Sequence, residues 1–221
     1  MELIFPIIII LVIVMAVVGH QQEKARRALL AAWASEHGLS FDQTRRRDLD
    51  DQFPGFELFR RGSGRYGENF MTGNWESCHL AIFEYHYQTS SGTGKNRSTK
   101  HYRYTVVMLQ PPFPLKPLSI RPEGWWDKVT AAFGWDDIDF ESAEFSRRFH
   151  VGAPDRRWAF DVLTPRNMEF LMAQDSLSLH MDDRQLMIPL RGRIQPPAIL
   201  DAIAKGITLL DGIPAFARET P

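Results

Sequence analysis

The chain has 221 residues, 44% hydrophobic and 24% charged, which is the composition of a folded domain and excludes a disordered or collagen-like chain. A net charge of −1 supplies no electrostatic reason to expect nucleic acid or another polyanion as partner. The single cysteine, Cys78, excludes an intrachain disulfide and the paired-cysteine spacings of zinc and redox motifs.

Leu3 to Gly19 (LIFPIIIILVIVMAVVG) carries no charge. At 1.5 Å per residue it covers about 25 Å as a helix, the short end of what crosses a bilayer. Residues 1–20 therefore read as a transmembrane anchor, with Pro6 in the first turns, where a missing N–H costs little. A cleaved signal peptide fits poorly. Glu2 is the only charged side chain before the run, and Ala16-Val17-Val18-Gly19 is a weak cleavage site. Lys24, Arg26 and Arg27 follow the run while no Lys or Arg precedes it. The positive-inside rule then predicts an inner-membrane, single-pass protein with its C-terminal domain in the cytoplasm. The same basic residues are placed to touch anionic headgroups, with simple orientation of the anchor as the plainer reading.

Residues 21–38 read as a juxtamembrane helix with Leu29, Leu30 and Trp33 on one face and Gly38 as the terminating glycine. Residues 39–221 read as one soluble domain. Asp42 to Gln52 mixes Arg45-Arg46-Arg47 with Asp48, Asp50 and Asp51, a solvated loop or short helix, before Phe53, Phe56, Leu58 and Phe59 return the chain to a core. From Asn69 to Gln110 the pattern is β. His79–Gln88 sets Ala81, Phe83, Tyr85 and Tyr87 on one face, and Lys100–Gln110 does the same with Tyr102, Tyr104, Val106 and Met108. The two form a long-looped hairpin with an aromatic face, and Cys78 just before it reads as a buried structural thiol. Pro111, Pro112, Pro114 and Pro117 then make an extended connection.

Trp125 to Phe133 is spaced as a short helix, and Phe145–Val151 and Trp158–Leu163 read as strands joined around Gly152–Asp155. Thr164-Pro165 is a helix start, with Met168, Leu171 and Met172 directed inward. Leu177–Met181 and Gln185–Leu190 make a hairpin around Asp182-Asp183, and a last helix from Pro196-Pro197 buries Ile199, Leu200, Ile203 and Ile207. Strands interleaved with single helices predict an α+β domain on a mainly antiparallel sheet, behind the N-terminal transmembrane helix.

The stretch IDFESAEFSRRFHV (138–151) with DRRWAFDVLTPRNMEFL (155–171) resembles a pattern in uncharacterised bacterial single-pass membrane proteins that carry a domain of unknown function. A Glu-Phe…Phe-x-Val strand precedes an aromatic strand and a Pro-containing helix start. The resemblance spans about residues 118–190 and implies an architecture without assigned catalytic residues.

Candidate chemistry is sparse. Gly92-Thr93-Gly94-Lys95 fails as a phosphate loop, since Thr89 and Asn96 stand where glycine and Ser or Thr are needed, and it joins two strands. Lys95, Arg97 and Lys100 nevertheless make this loop a possible contact for an anion. Glu84, His86 and His101 are weak candidates for zinc, if the hairpin register brings the imidazoles together. Asp136, Asp137, Asp139, Glu141 and Glu144 fail the calcium-loop pattern, because Ser142 and Arg148 occupy its glycine and glutamate positions. His150 with Asp155 or Asp161 is a conceivable acid–base pair. No catalytic residue, cofactor or resident metal is assigned. The preferred function is a membrane-anchored, non-catalytic binding or scaffolding domain with an unknown protein partner. The alternatives are a membrane-associated enzyme of unrecognised class and a lipid-contacting envelope-stress protein.

Overall fold

The computed structural model describes residues 4–92, 97–122, 135, 138–174 and 176–219. One helix, α1 (Ile4–Glu36), runs without a break through both the apolar run and the juxtamembrane segment. It is long and apolar enough to cross a membrane. Its side chains from Ile8 to Val18 are exposed, whereas Leu30 and Ala34 are buried against the domain. Leu29, expected on the buried face, is instead 72% exposed, because the face that docks is set one position round the helix. Gly38, at φ +69°, ends the helix as its sequence position predicts.

The domain is built on β1 (Ser40–Asp42), β2 (Ser63–Trp75), β3 (Cys78–Ser91), β4 (Ser98–Gln110), β5 (Leu118–Pro122), β6 (Phe149–Gly152), β7 (Leu179–Met181) and β8 (Leu186–Arg191). They form one antiparallel sheet in the order β1-β2-β3-β4-β8-β7-β5-β6. The fold is α+β, as the alternation of patterns predicts. The β3–β4 hairpin is continuous from His79↔Gln110 to Ser91↔Ser98, and the β strand ahead of it begins at Ser63, earlier than its sequence pattern reveals.

Both faces of the central strands are covered. Phe83, Tyr85 and Tyr87 of β3, with Tyr104, Val106 and Met108 of β4, pack under Leu49, Phe56, Leu58 and Phe59. Leu49 comes from α2 (Leu49–Gln52), Leu58 and Phe59 from a 3-10 turn at Glu57–Arg60, and Phe56 from the position that caps that turn. The aromatic face is therefore interior, and the aromatic parts of β3 and β4 are central. The edges of the sheet are β1 and β6. On the opposite face Leu80, Ile82, Val107, Leu109 and Ile188 join the larger core.

Two expected strands are corrected. Phe145–Arg148 belongs to α3 (Ala143–Arg148), and only Phe149–Gly152 is strand. Trp158–Val162 lies in α4 (Arg156–Val162). The deciding features are caps: Ser142 accepts from the Phe145 N–H and Asp155 from the Trp158 N–H. Burial of Trp158, Ala159 and Val162 then follows helical spacing, which a short apolar run does not separate from a strand.

Helix α5 (Pro165–Met172) starts at Thr164 as expected, but Met168 and Met172 are only half-buried while Asn167 is fully enclosed. The Asn167 amide donates to the Val162 and Leu209 carbonyls, joining the ends of three helices. The last long helix, α6 (Pro196–Asp211), buries Ile199, Ala202, Ile203, Gly206, Leu209 and Leu210. Leu200 stays exposed and Ile207 half-exposed, because the helix meets the sheet through Gly206, which lies against Leu109, Ile188 and Leu186. A short helix α7 (Ala215–Arg218) follows. The helix expected at Trp125–Phe133 lies outside the described residues.

Candidate functional site

The polar centre of the molecule lies where α1 meets the sheet. A cross-strand pair, Glu68 of β2 and Glu84 of β3, points to the α1 side. Two carboxylates directly opposite repel each other, so the arrangement needs cations. Helix α1 supplies them from consecutive residues. Arg26 engages both oxygens of Glu84 with its two terminal nitrogens, and Arg27 reaches Glu68 at 3.5 Å, where Arg45 also binds at 3.1 Å.

Glu84 is 8% exposed, and its carboxylate is fully used. Besides Arg26 it accepts from Asn69 Nδ2 at 2.7 Å and from the Ile194 backbone N–H at 2.9 Å. Asn69 reaches it because β2 bulges between Glu68 and Met71, with Asn69 itself at φ +58°. Asparagine tolerates that left-handed conformation better than most residues, and the bulge re-aims its amide along the sheet. Ile194 arrives from the turn after β8, where Gly192 sits at φ +97°. A second clamp closes the rim: Glu23 of α1 pairs with Arg193 at 2.8 Å. Burial opposes ionisation of Glu23, but its bond to Arg193 and the charges of Arg193, Arg26 and Arg27 outweigh this and hold the carboxyl below its ordinary value.

Beside this clamp lies a small cleft lined by Tyr66, Glu68, Glu84, His86, Arg103 and Arg193. Along it Arg45, Tyr66, His86 and His101 form a stacked column, with the Arg45 guanidinium 3.9 Å above the Tyr66 ring and His86 4.8 Å from Tyr66. The register places His101 opposite Gln88, on the same face as His86, and the two imidazoles meet at 3.1 Å. The zinc candidates are thus partly assembled. His86, however, has Nδ1 on the Gly64 carbonyl and Nε2 on His101, and Glu84 is spent on Arg26, Asn69 and Ile194. Among the described residues no three His, Cys, Asp or Glu side chains are grouped to hold a metal ion. Burial, with His101 and Arg103 adding charge repulsion, pushes His86 below its ordinary value despite the opposing Gly64 bond.

The remaining candidates are dispersed. Arg97 and Lys100 are exposed on the β3–β4 hairpin, and Lys95 lies outside the described residues. Lys24 is exposed on α1, so of the three basic residues flanking the apolar run only Arg26 and Arg27 are used in docking. Asp139, Glu141 and Glu144 are exposed around the Ser142 cap, while Asp136 and Asp137 lie outside the described residues. Asp155 caps α4 and pairs with Lys116 at 2.8 Å, and Asp161 stands 4.0 Å from Arg157. Cys78 is buried, and burial pushes its thiol upward, away from the reactive thiolate.

Sequence reasoning missed Glu68, Asn69, Arg193 and Tyr66. The one available signal was Asn69 itself, a turn-favouring residue inside a strand pattern. It also missed His180 of β7, whose two ring nitrogens meet the hydroxyls of Ser119 and Ser178, each at 3.1 Å. Both serines are buried, so this is packing and not a presented nucleophile. Burial first, then the charges of Arg121 and Arg61, lower the His180 value to about 3. Because the folded value lies below the ordinary 6.5, stability is complete above about pH 6.5 and is lost as pH falls toward 3. A pH series of thermal unfolding should show this decline, and His180→Gln should make it shallower. Identical slopes for the two proteins would show that His180 does not carry it.

No protein-family model and no curated protein matches the chain. Among solved structures it is similar to the crystal structure of the mycobacterial trehalose monomycolate transport factor A, TtfA. The TM-score is 0.52 at 13% identity, over 84% of this chain and 94% of that one. At that identity the likeness is one of fold: an α+β domain on an antiparallel sheet, here carried behind an N-terminal helix apolar enough to cross a membrane.

Proposed function

We propose that this is a bacterial single-pass inner-membrane protein whose C-terminal domain is a non-catalytic binding or scaffolding module on the cytoplasmic side. We group it with the uncharacterised membrane proteins that its C-terminal half resembles. The observation that carries the proposal is the Arg26–Glu84 lock. It ties the last turns of α1 directly to the central sheet, so the domain hangs from its anchor at a fixed angle with no flexible linker. A fixed orientation suits a surface that must meet another membrane-bound protein, because the geometry of encounter is already set. The polar groups that first suggested chemistry support the same reading. Glu84, Asp155 and both nitrogens of His86 are each occupied by structural bonds. That the similar structure belongs to a protein described as a transport factor agrees with a role in an assembly. The cytoplasmic orientation rests on Lys24, Arg26 and Arg27 following the apolar run.

In-cell cross-linking and affinity purification of the full chain tests this, alongside a control in which an unrelated transmembrane helix replaces residues 1–20. A protein captured at near-stoichiometric yield in both forms is the expected result. Capture in neither form overturns the binding-module reading, and capture only with the native helix moves the interface into the membrane. A C-terminal reporter active only outside the cytoplasm would overturn the orientation.

A further inference from the structure

The β3–β4 hairpin extends well past its neighbours. The β2 pairing ends at Ser63↔Gln88 and the β8 pairing at Tyr104↔Arg191, so Thr89–Ser91 and their partners Ser98–Lys100 continue as a two-stranded ribbon. Its direction follows from two contacts with α1. The His37 ring stacks on Trp75 with centroids 5.6 Å apart, and Trp75 lies opposite Cys78 at the start of β3; Arg26 meets Glu84 six residues further along that strand. Strand β3 therefore runs back along α1 toward its N-terminus. About 20 Å of strand from Cys78 to Glu84 accompanies about 16 Å of helix from His37 to Arg26, so the helix advances about four-fifths as far as the strand. Continued at the same ratio, Thr89 and its partner Lys100 come level with about Val17, where the apolar run of the helix ends.

The ribbon has the charge for that position. No Asp or Glu occurs anywhere in residues 85–122, whereas Arg97 and Lys100 lie on the ribbon, both exposed, with His101 and Arg103 at its root. The acids nearest the root of the ribbon, Glu23, Glu68 and Glu84, are each neutralised by arginine. In a chain with a net charge of −1, Arg97 and Lys100 thus make a positive strip with no ion-pair partner among the described residues, level with the end of the apolar run. Basic residues attract an anionic leaflet only within about a Debye length, roughly 8–10 Å, so this placement decides whether the charge acts.

We propose that the β3–β4 ribbon is a second membrane contact, with Arg97 and Lys100 binding the headgroups of anionic phospholipids beside the foot of α1. This rests on the reading of α1 as a membrane-spanning helix. Together the helix and the ribbon hold the domain at two points and fix its rotation about the helix axis.

The test uses the full chain carrying Ser98→Cys, labelled with an environment-sensitive fluorophore. It is reconstituted in nanodiscs of phosphatidylcholine alone and of phosphatidylcholine with equal phosphatidylglycerol, each doped with a headgroup-attached quencher. The expected result is at least twofold stronger quenching in the anionic discs, abolished by Arg97→Glu with Lys100→Glu. Equal quenching in both discs overturns the proposal, as does strong quenching that survives the charge reversals. Co-elution of the chain with the discs reports the helix separately: failure to incorporate overturns the anchor itself, whereas incorporation without a lipid-dependent signal overturns only the ribbon contact.

Discussion

Replacing Arg26 with alanine is expected to destabilise the full chain by about 3–5 kcal/mol, since it leaves a buried carboxylate without its cation. For a chain of this size that lowers the melting temperature by roughly 10 °C. The size of the effect comes from the setting and not from the ion pair alone. The Glu84 side chain is 10% exposed and Arg26 21%, so water does not replace the lost guanidinium. Arg27 provides the contrast. It is 31% exposed, contacts Glu68 at 3.5 Å, and shares that carboxylate with Arg45, so Arg27→Ala is expected to cost under about 1 kcal/mol. Combining Arg26→Met with Glu84→Gln should recover most of the loss, because the amide oxygen still accepts from the Ile194 N–H, a flip of the Asn69 amide lets its oxygen accept from the new NH2, and no charge is buried. Thermal unfolding of the reconstituted proteins measures all three. An Arg26→Ala protein within 1 kcal/mol of the parent would reduce the lock to a solvent-exposed contact and remove the main support for a rigidly held domain.

Phe59→Ala is expected to cost about 3–5 kcal/mol, the range for emptying an aromatic site in a packed core. Phe59 is fully buried and sits among Phe53, Phe56, Phe83 and Tyr85, with ring centroids 5.0–6.2 Å away. Its carbonyl also accepts the Tyr85 hydroxyl at 3.1 Å, so the segment is held to the sheet by packing and by a buried hydrogen bond together. Phe216, 62% exposed, is the internal control, and Phe216→Ala should change stability by less than about 0.5 kcal/mol. Equal losses at the two positions would mean that the segment from Leu49 to Phe59 does not form a true second layer, and that the aromatic face of the hairpin is open after all.

Much of the fold was legible because it is written in local pattern. The alternation of Phe83, Tyr85 and Tyr87 with polar neighbours, matched by Tyr102, Tyr104 and Val106, specifies a hairpin and even its common face. Thr164-Pro165 and Pro196-Pro197 mark helix starts through backbone chemistry that does not depend on what lies opposite. The misreadings occurred where local pattern is degenerate. Trp158–Leu163 is apolar enough for a strand or a helix, and only the Asp155 cap decides it. Leu29 and Leu30 are chemically the same, yet one is exposed and the other buried, since the docking face depends on a sheet built from residues far along the chain.

The candidate site shows the same division more sharply. Arg26 and Arg27 were visible as a charge cluster, and their bias toward one side of a membrane is a property of the unfolded chain as it inserts. Their partners were not visible, because Glu84 lies 58 residues from Arg26 and Glu68 41 residues from Arg27. No spacing rule joins them. The contact exists because β3 runs back along α1 and a bulge at Asn69 turns an amide toward the same carboxylate. Likewise Lys100 reads in sequence as one basic residue in a polar loop, and its level beside the helix follows only from strand register.

What the sequence determined by itself was whatever depends on neighbours along the chain: an apolar run long enough for a bilayer, the α+β pattern, the aromatic hairpin and the sparseness of catalytic motifs. The tertiary structure alone decided which arginines anchor the domain, which faces are covered, and where the positive ribbon lies. Those outcomes depend on through-space pairing of charges and on strand register, and a one-dimensional pattern does not encode the distance between residues that meet only after folding.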